Sequence, residues 1–182
     1  MRTARTFFVG HPFRIAGATA LLAIGAAVFW YLASPLWIRT ELREALPVVT
    51  PAPTAATTGA AASIAPAATP AAPRVLARGE LNFVDQLHNG KGPVSIVEVG
   101  TQRFVRFDEV AITNAPDVHV YLSTDTGGKY VPANTLYLGP LKATNGSFNY
   151  EIPGAPAITT YKSVVVWCRA FTTLITWADL KP

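Results

Sequence analysis

One thiol and two imidazoles carry whatever redox or metal chemistry the C-terminal part of this chain holds. Cys168 is the single cysteine of 182 residues; it ends the run Val164-Val-Val-Trp-Cys168 and is flanked by Trp167 and Arg169. A thiolate so placed could exchange electrons, form a mixed disulfide, or ligate a haem iron or copper. Arg169 would favour the thiolate if its side chain turned toward the sulfur. The competing reading is plain packing, because free Cys is among the most buried residue types. His88 lies in the predicted loop Asp85-Gln-Leu-His-Asn-Gly-Lys-Gly92, and His119 lies on the polar face of a predicted strand. Two neutral imidazoles with Cys168 would compose a copper–thiolate set. Such sites commonly add an axial Met, whereas the only methionine here is Met1. Without a metal, His88 reads as a loop side chain bonded to backbone groups and His119 as an exposed strand residue.

Other chemistries find less support. The chain has no Gly-x-Ser-x-Gly elbow, no Ser-x-x-Lys, no phosphate-binding glycine loop, no Cys-x-x-Cys and no His-x-x-x-His, so hydrolase, nucleotide-binding and zinc motifs are missing. Asp108-Glu109 is an adjacent carboxylate pair, but strand neighbours point to opposite faces and would not share a proton. Thr126-Gly-Gly-Lys129 reads as a hairpin turn. Tyr121, Tyr150, Tyr161, Trp167 and Trp177 could stack on a ligand or pass electrons, with core packing as the ordinary alternative. A turnover enzyme is therefore not the expected class.

These side chains need a scaffold, and the pattern from Arg78 onward supplies one. Short β-branched and aromatic runs, namely 94–99, 102–107, 118–123, 136–138, 147–152, 163–168 and 171–177, are separated by Gly, Pro, Asn and Asp. No helical stripe longer than ten residues occurs, so the expected fold is all-β, a small antiparallel β-sandwich over 78–182. In Asp117-Val-His-Val-Tyr-Leu122 the alternation predicts a half-buried strand with Val118, Val120 and Leu122 inside. Val164-Val-Val-Trp-Cys168 lacks alternation and reads as a central strand covered on both faces.

The N-terminal part is organised differently. Residues 15–38 form an uncharged stretch of 24 residues, about 36 Å as a helix against a hydrocarbon core of about 30 Å. It reads as an uncleaved transmembrane signal anchor, a cleaved signal peptide being the rival. Arg2, Arg5 and Arg14 precede it, and the segment Arg39-Thr-Glu-Leu-Arg-Glu44 after it is charge-balanced. The positive-inside bias then predicts a single-pass cell-membrane protein with a cytoplasmic N-terminus and an extracytoplasmic C-terminal domain. Trp30, Tyr31 and Trp37 suit the outer interface. Residues 47–73 contain 22 Ala, Pro or Thr out of 27 and no charge, the composition of a disordered, extended stalk. The expected organisation is a tail and anchor over 1–44, a disordered linker over 45–77 and the domain over 78–182. Of the fifteen Lys and Arg against eleven Asp and Glu, ten and nine respectively lie from Arg74 onward. A domain so nearly neutral, without a basic run, excludes nucleic acid as a partner.

Several segments of the domain, in order, carry a family resemblance. Gly79, His88, Gly92, Pro116-Asp-Val-His-Val-Tyr-Leu-Ser123, Leu138-Gly-Pro-Leu-Lys142, Gly146, Tyr150, Pro153, Tyr161, Ser163-Val-Val-Val-Trp-Cys168, Phe171 and Ala178-Asp-Leu180 resemble the DM-thirteen ("electron transfer DM") domain family across residues 79–180. Leu81, Ala115 and Trp177 depart from the family's usual Phe, Gly and Phe-Gly and leave Cys168 in place. The resemblance implies an extracellular β-sandwich, often beside DOMON and cytochrome b-type modules, whose cysteine is a proposed redox or prosthetic-group residue. Two functions follow as expectations. One is a membrane-tethered redox or electron-transfer accessory centred on Cys168, with Arg169, Trp167, His88 and His119 in support and a membrane redox protein or extracellular protein as partner. The other is a non-catalytic binding or structural module displayed on a stalk.

Overall fold

The computed structural model describes residues 12–34, 38–47, 72–154 and 157–182. Arg2, Arg5, Trp37 and most of the Ala/Pro/Thr-rich stretch lie outside them. A single helix, α1 (Pro12–Ala33), opens the described chain, and its 15–33 part is long and apolar enough to cross a membrane. It is shorter than the 15–38 stretch expected from composition. Pro35 accounts for the early end, because a proline disfavours helical geometry in the residue before it. A helix of this length and position is an anchor or a signal sequence.

The rest is β: β1 (Glu41–Arg43), β2 (Arg74–Glu80), β3 (Gly90–Lys91), β4 (Pro93–Val99), β5 (Gln102–Ile112), β6 (Val118–Ser123), β7 (Thr135–Pro140), β8 (Asn145–Glu151), β9 (Ser163–Cys168) and β10 (Thr173–Asp179). They form two sheets. One runs β1-β8-β5-β4-β2 with β3 also on β5, and the other runs β10-β9-β6-β7. The sandwich expected from the strand pattern is present. Its core is fully buried Val94, Ile96, Val105, Phe107 and Phe148 from the first sheet against Val120, Leu122, Val164, Val166, Cys168 and Ile175 from the second. Phe107 and Phe148 stack at 5.0 Å between ring centroids, and β9 lies between β10 and β6 with Val164, Val165 and Val166 sealed. Covered on both faces, it matches the apolar run that encodes it.

Three features depart from the sequence reading. β6 is buried along its whole length rather than on alternate positions, because aromatic side chains and the 124–134 connection cover its outer face. Asp108 and Glu109 do not point apart: the register slips between Phe107 and Val110, and Glu109 takes φ 45°. Both carboxylates consequently accept from the Ser147 hydroxyl, at 2.9 and 3.2 Å, as a bulge that re-aims side chains allows.

The third departure is the start of the sheet. β2 begins at Arg74, and residues 41–43, read as the charged flank of the anchor, form a parallel edge strand on β8 with Glu41 opposite Asn145. Thr40 and Thr144 exchange backbone and hydroxyl hydrogen bonds at 3.0–3.1 Å. The Glu44 carboxylate accepts from the Asn149 amide at 2.9 Å and from Lys142 Nζ at 3.0 Å, while Arg106 donates to the Glu44 carbonyl at 2.6 Å. Leu46 packs on Val97, Val99 and Phe104 outside the main core. In sequence, the low-complexity stretch thus lies between two strands of one sheet, β1 and β2.

Candidate functional site

Cys168 ends β9 on its inward face and is fully buried. Its Sγ donates to the Pro116 carbonyl at 2.8 Å across the mouth of the β5–β6 connection. Arg169 does not face it. One residue beyond the strand, the chain turns, and the guanidinium crosses to the outer side, where Nε donates to Tyr121 Oη at 2.7 Å and the group lies 4.7 Å from the centre of the Tyr137 ring. Trp167, alternating with Cys168, also points outward.

That outer face of the four-stranded sheet is an aromatic layer. Trp167 stacks on Tyr130 at 4.5 Å and 16° between ring planes. Tyr130 meets Tyr121 at 5.0 Å, Tyr121 meets Tyr137 at 5.3 Å, and Tyr137 meets His119 at 5.6 Å. Each spacing lies in the range of favourable aromatic pairs. Cross-strand pairing builds the layer, since β6 sets Tyr121 directly opposite Tyr137 of β7 and His119 opposite Trp167 of β9.

At one end the layer terminates in a hydrogen-bonded chain of three side chains. His119 Nδ1 is 2.9 Å from Tyr137 Oη and its Nε2 is 2.6 Å from Asp117 Oδ1. An ionised carboxylate can only accept, so Nε2 carries the hydrogen; with the ring in its neutral form, Nδ1 is the acceptor for the Tyr137 phenol hydrogen. Asp117 reaches forward two residues from a φ of 58°, a left-handed conformation that Asp tolerates better than most residues. His119 is only 7% exposed, whereas Tyr137 and Asp117 reach solvent. His119 is thus not the exposed strand residue that alternation suggested. Asp117 and His119 border a small cleft with Thr40, Asn114 and Pro140. Burial foremost, with the neighbouring Tyr130 phenol, raises the Tyr121 pKa despite its bond to Arg169. In the reverse direction, the Tyr121 hydrogen bond holds Arg169 above its ordinary value.

A family model described as Electron transfer DM13 matches residues 82–180, more than half of the chain. The chain belongs to the Electron transfer DM13 family. No curated protein and no solved structure matches it.

The other predicted residues of this DM13 domain are dispersed. His88 stands in the 82–89 loop with Nδ1 at 2.8 Å from Asp85, whose carboxyl is held below its usual range by that contact first and by the His88 and Leu87 amides, against the opposing effect of burial. Among the described residues no group of three His, Cys, Asp or Glu side chains could hold a metal ion. Cys168, His88 and His119 therefore do not compose the copper set, and a sulfur sealed against Pro116 presents no open side to a haem. Tyr150 is core, its hydroxyl donating to the Pro140 carbonyl at 2.9 Å, and burial drives its pKa well above the ordinary value. Tyr161 packs at the core margin. Trp177 sits under Gly128, and its buried Nε1 lacks a partner among the described residues. Tyr121 and Trp167 join the layer. Tyr130 and Tyr137 were missed, although Tyr137 lies in the short 136–138 run and the alternation of β6 already pointed to an outer face needing cover.

Proposed function

We propose that this chain is a membrane-tethered accessory of electron transfer, held by α1 with its DM13 domain outside the cytoplasm. The observation that carries the reading is the Tyr137–His119–Asp117 relay at the end of a continuous Tyr and Trp layer. A one-electron oxidant drawing on Tyr137 removes one electron from the phenol while its proton moves to His119 Nδ1. The nearby Asp117 carboxylate stabilises the imidazolium, and the product is a neutral phenoxyl radical. Reduction by one electron returns the proton to the phenol oxygen. Tyr121 Oη accepts from the Arg169 guanidinium, whereas Tyr137 faces an imidazole that can take its proton, so oxidation concentrates on Tyr137. Tyr130 and Trp167 extend the path along the sheet. Cys168 stands one peptide behind Trp167, sealed from thiol exchange with its hydrogen on the Pro116 carbonyl, and takes no step in this path. The family's description as electron-transfer domains supports the same class of role.

Photo-oxidation of the protein by a ruthenium–polypyridyl sensitiser with a sacrificial acceptor, followed by electron paramagnetic resonance, tests this. A phenoxyl signal whose yield falls strongly in Tyr137→Phe, and whose formation slows in His119→Gln, is expected. A signal unchanged in both variants overturns the relay. Loss of the signal on Cys168→Ser alone would instead restore the thiol as the centre.

A further inference from the structure

We infer that the domain docks end-on against the bilayer crossed by α1, with the loops carrying Phe83, Leu87 and Phe171 seated among the lipid headgroups. The inference rests on the reading of α1 as a retained anchor. Strand directions define two ends of the sandwich. β1 and β8 start at one of them, where Glu41 pairs with Asn145; β5 finishes there, with Ala111 opposite Asn145; and β6 starts where β9 finishes, Val118 opposite Cys168. The 82–89, 113–117, 141–144 and 169–172 connections therefore share that end. Those at 100–101 and 152–162 lie at the other, and the 124–134 connection leaves from there and folds back over the outer face of the second sheet.

The chain enters the domain at the first end, and it enters close to the helix. The Ile38 amide donates to the Ser34 carbonyl at 3.0 Å. From Ile38 to the start of β1 at Glu41 the chain extends at most about 10 Å. A headgroup layer is roughly 5–8 Å thick on each side of the hydrocarbon. With α1 in the membrane up to Ala33, the first end of the sandwich is thus brought to the headgroups.

The surface of that end is built for the contact. Phe83, Leu87 and Phe171 are 65%, 69% and 52% exposed, and Val84 and Ile38 are exposed beside them in sequence or in the entry segment. Among the described residues the domain's remaining large exposed apolar side chains, Val75 and Tyr137, lie on strands, and none belongs to the connections at the far end. Exposed apolar side chains gathered at one end mark an interaction surface, and an aromatic ring suits the boundary between lipid and water. The docked orientation also brings the Cys168 end of β9 and the cleft of Asp117 and His119 toward the membrane.

The test uses the full chain in phosphatidylcholine vesicles, with nitroxides on Leu87→Cys, Phe171→Cys and, at the far end, Gly154→Cys, all in a Cys168→Ala background. The sealed native thiol allows the same labelling with Cys168 retained if that substitution perturbs the fold. Collision with oxygen, which partitions into lipid, is compared with collision with a water-soluble nickel chelate. Labels at 87 and 171 should favour oxygen several-fold over the label at 154. Equal nickel access at all three positions, in protein that resists alkaline carbonate extraction, overturns docking and leaves the anchor standing. Extraction by carbonate removes the anchor reading and docking with it. Shielding from both reagents with dipolar broadening between labels identifies a second copy as the occupant and also overturns docking on lipid.

Discussion

The two sides of β9 differ in kind although they share one backbone. Inward, Val164, Val166 and Cys168 are sealed in an apolar core, and the thiol spends its hydrogen on a carbonyl. Outward, Trp167 joins rings that touch one another, a guanidinium and a hydrogen-bonded imidazole. Chemistry that needs contact with a solute has access only to the outward side, while the inward side decides whether the strand exists. A residue's rarity, as with the only cysteine, is thus a weaker guide to reactivity than the face on which alternation places it.

Removing rings on either side should separate the two roles. Phe107→Ala leaves a cavity in the sealed core and is expected to cost about 3–5 kcal/mol in urea unfolding. Trp167→Ala, which loses a half-buried ring and one stacked pair, should cost about 2 kcal/mol. Equal losses would erase the distinction between core and layer.

Cys168→Ser sharpens the inward side, because it places a more polar group among apolar neighbours and should destabilise by about 1–3 kcal/mol. In the native protein, labelling of Cys168 by a thiol reagent should follow the rate of opening and not the reagent concentration. Fast labelling, first order in reagent, would show the sulfur to be accessible. On the outward side, Arg169→Ala should change stability little while moving the Tyr121 titration, measured by ultraviolet difference absorption, to higher pH, because the guanidinium favours the phenolate. An unmoved Tyr121 titration would mean that the guanidinium does not act on the phenol.

The smallest effect belongs to the outer face of the six-stranded sheet. Burial alone would raise the Glu44 pKa, but the Asn149 amide and the Lys142 ammonium outweigh it and leave it below 4.5; the Ser147 hydroxyl first, then Arg106, lowers that of Asp108 from 3.8. A depressed carboxyl pKa contributes stability that is complete above the unfolded value and fades as pH falls through the folded one. Stability should therefore decline from about pH 4.5 downward, and Glu44→Gln should flatten that decline. An identical acid limb in the variant would remove Glu44 from it.

Legibility in the sequence followed the same division. The bounds of β6 and β9 were readable, and the unbroken apolar run of β9 also gave its burial on both faces, whereas the alternation of β6 gave its inward face and missed the cover over its outer one. β1 was not readable, since three residues with two charges carry no periodicity and their pairing partner stands about a hundred positions away. β2 was hidden by its own composition, Arg-Val-Leu-Ala-Arg-Gly-Glu, and by the low-complexity stretch before it. Within the site, Cys168, Trp167 and Arg169 were picked by proximity in sequence, yet adjacent strand residues diverge, so the structure separates the first from the other two. Tyr130 had no signal of its own: it comes from a connection between strands, and only the fold lays it on Trp167.

The reciprocal bonds between Thr40 and Thr144 span 104 residues, and that separation acts in time as well as in space. At a synthesis rate of about 5–20 residues per second, β1 leaves the ribosome roughly 5–20 s before β8 exists to receive it. For that interval the segment just after α1 is an unpaired edge. Three residues with a charge at each end make a poor template for a foreign strand. The brevity of β1 is then a safeguard during assembly, and this edge of the sheet closes only once β8 has been made.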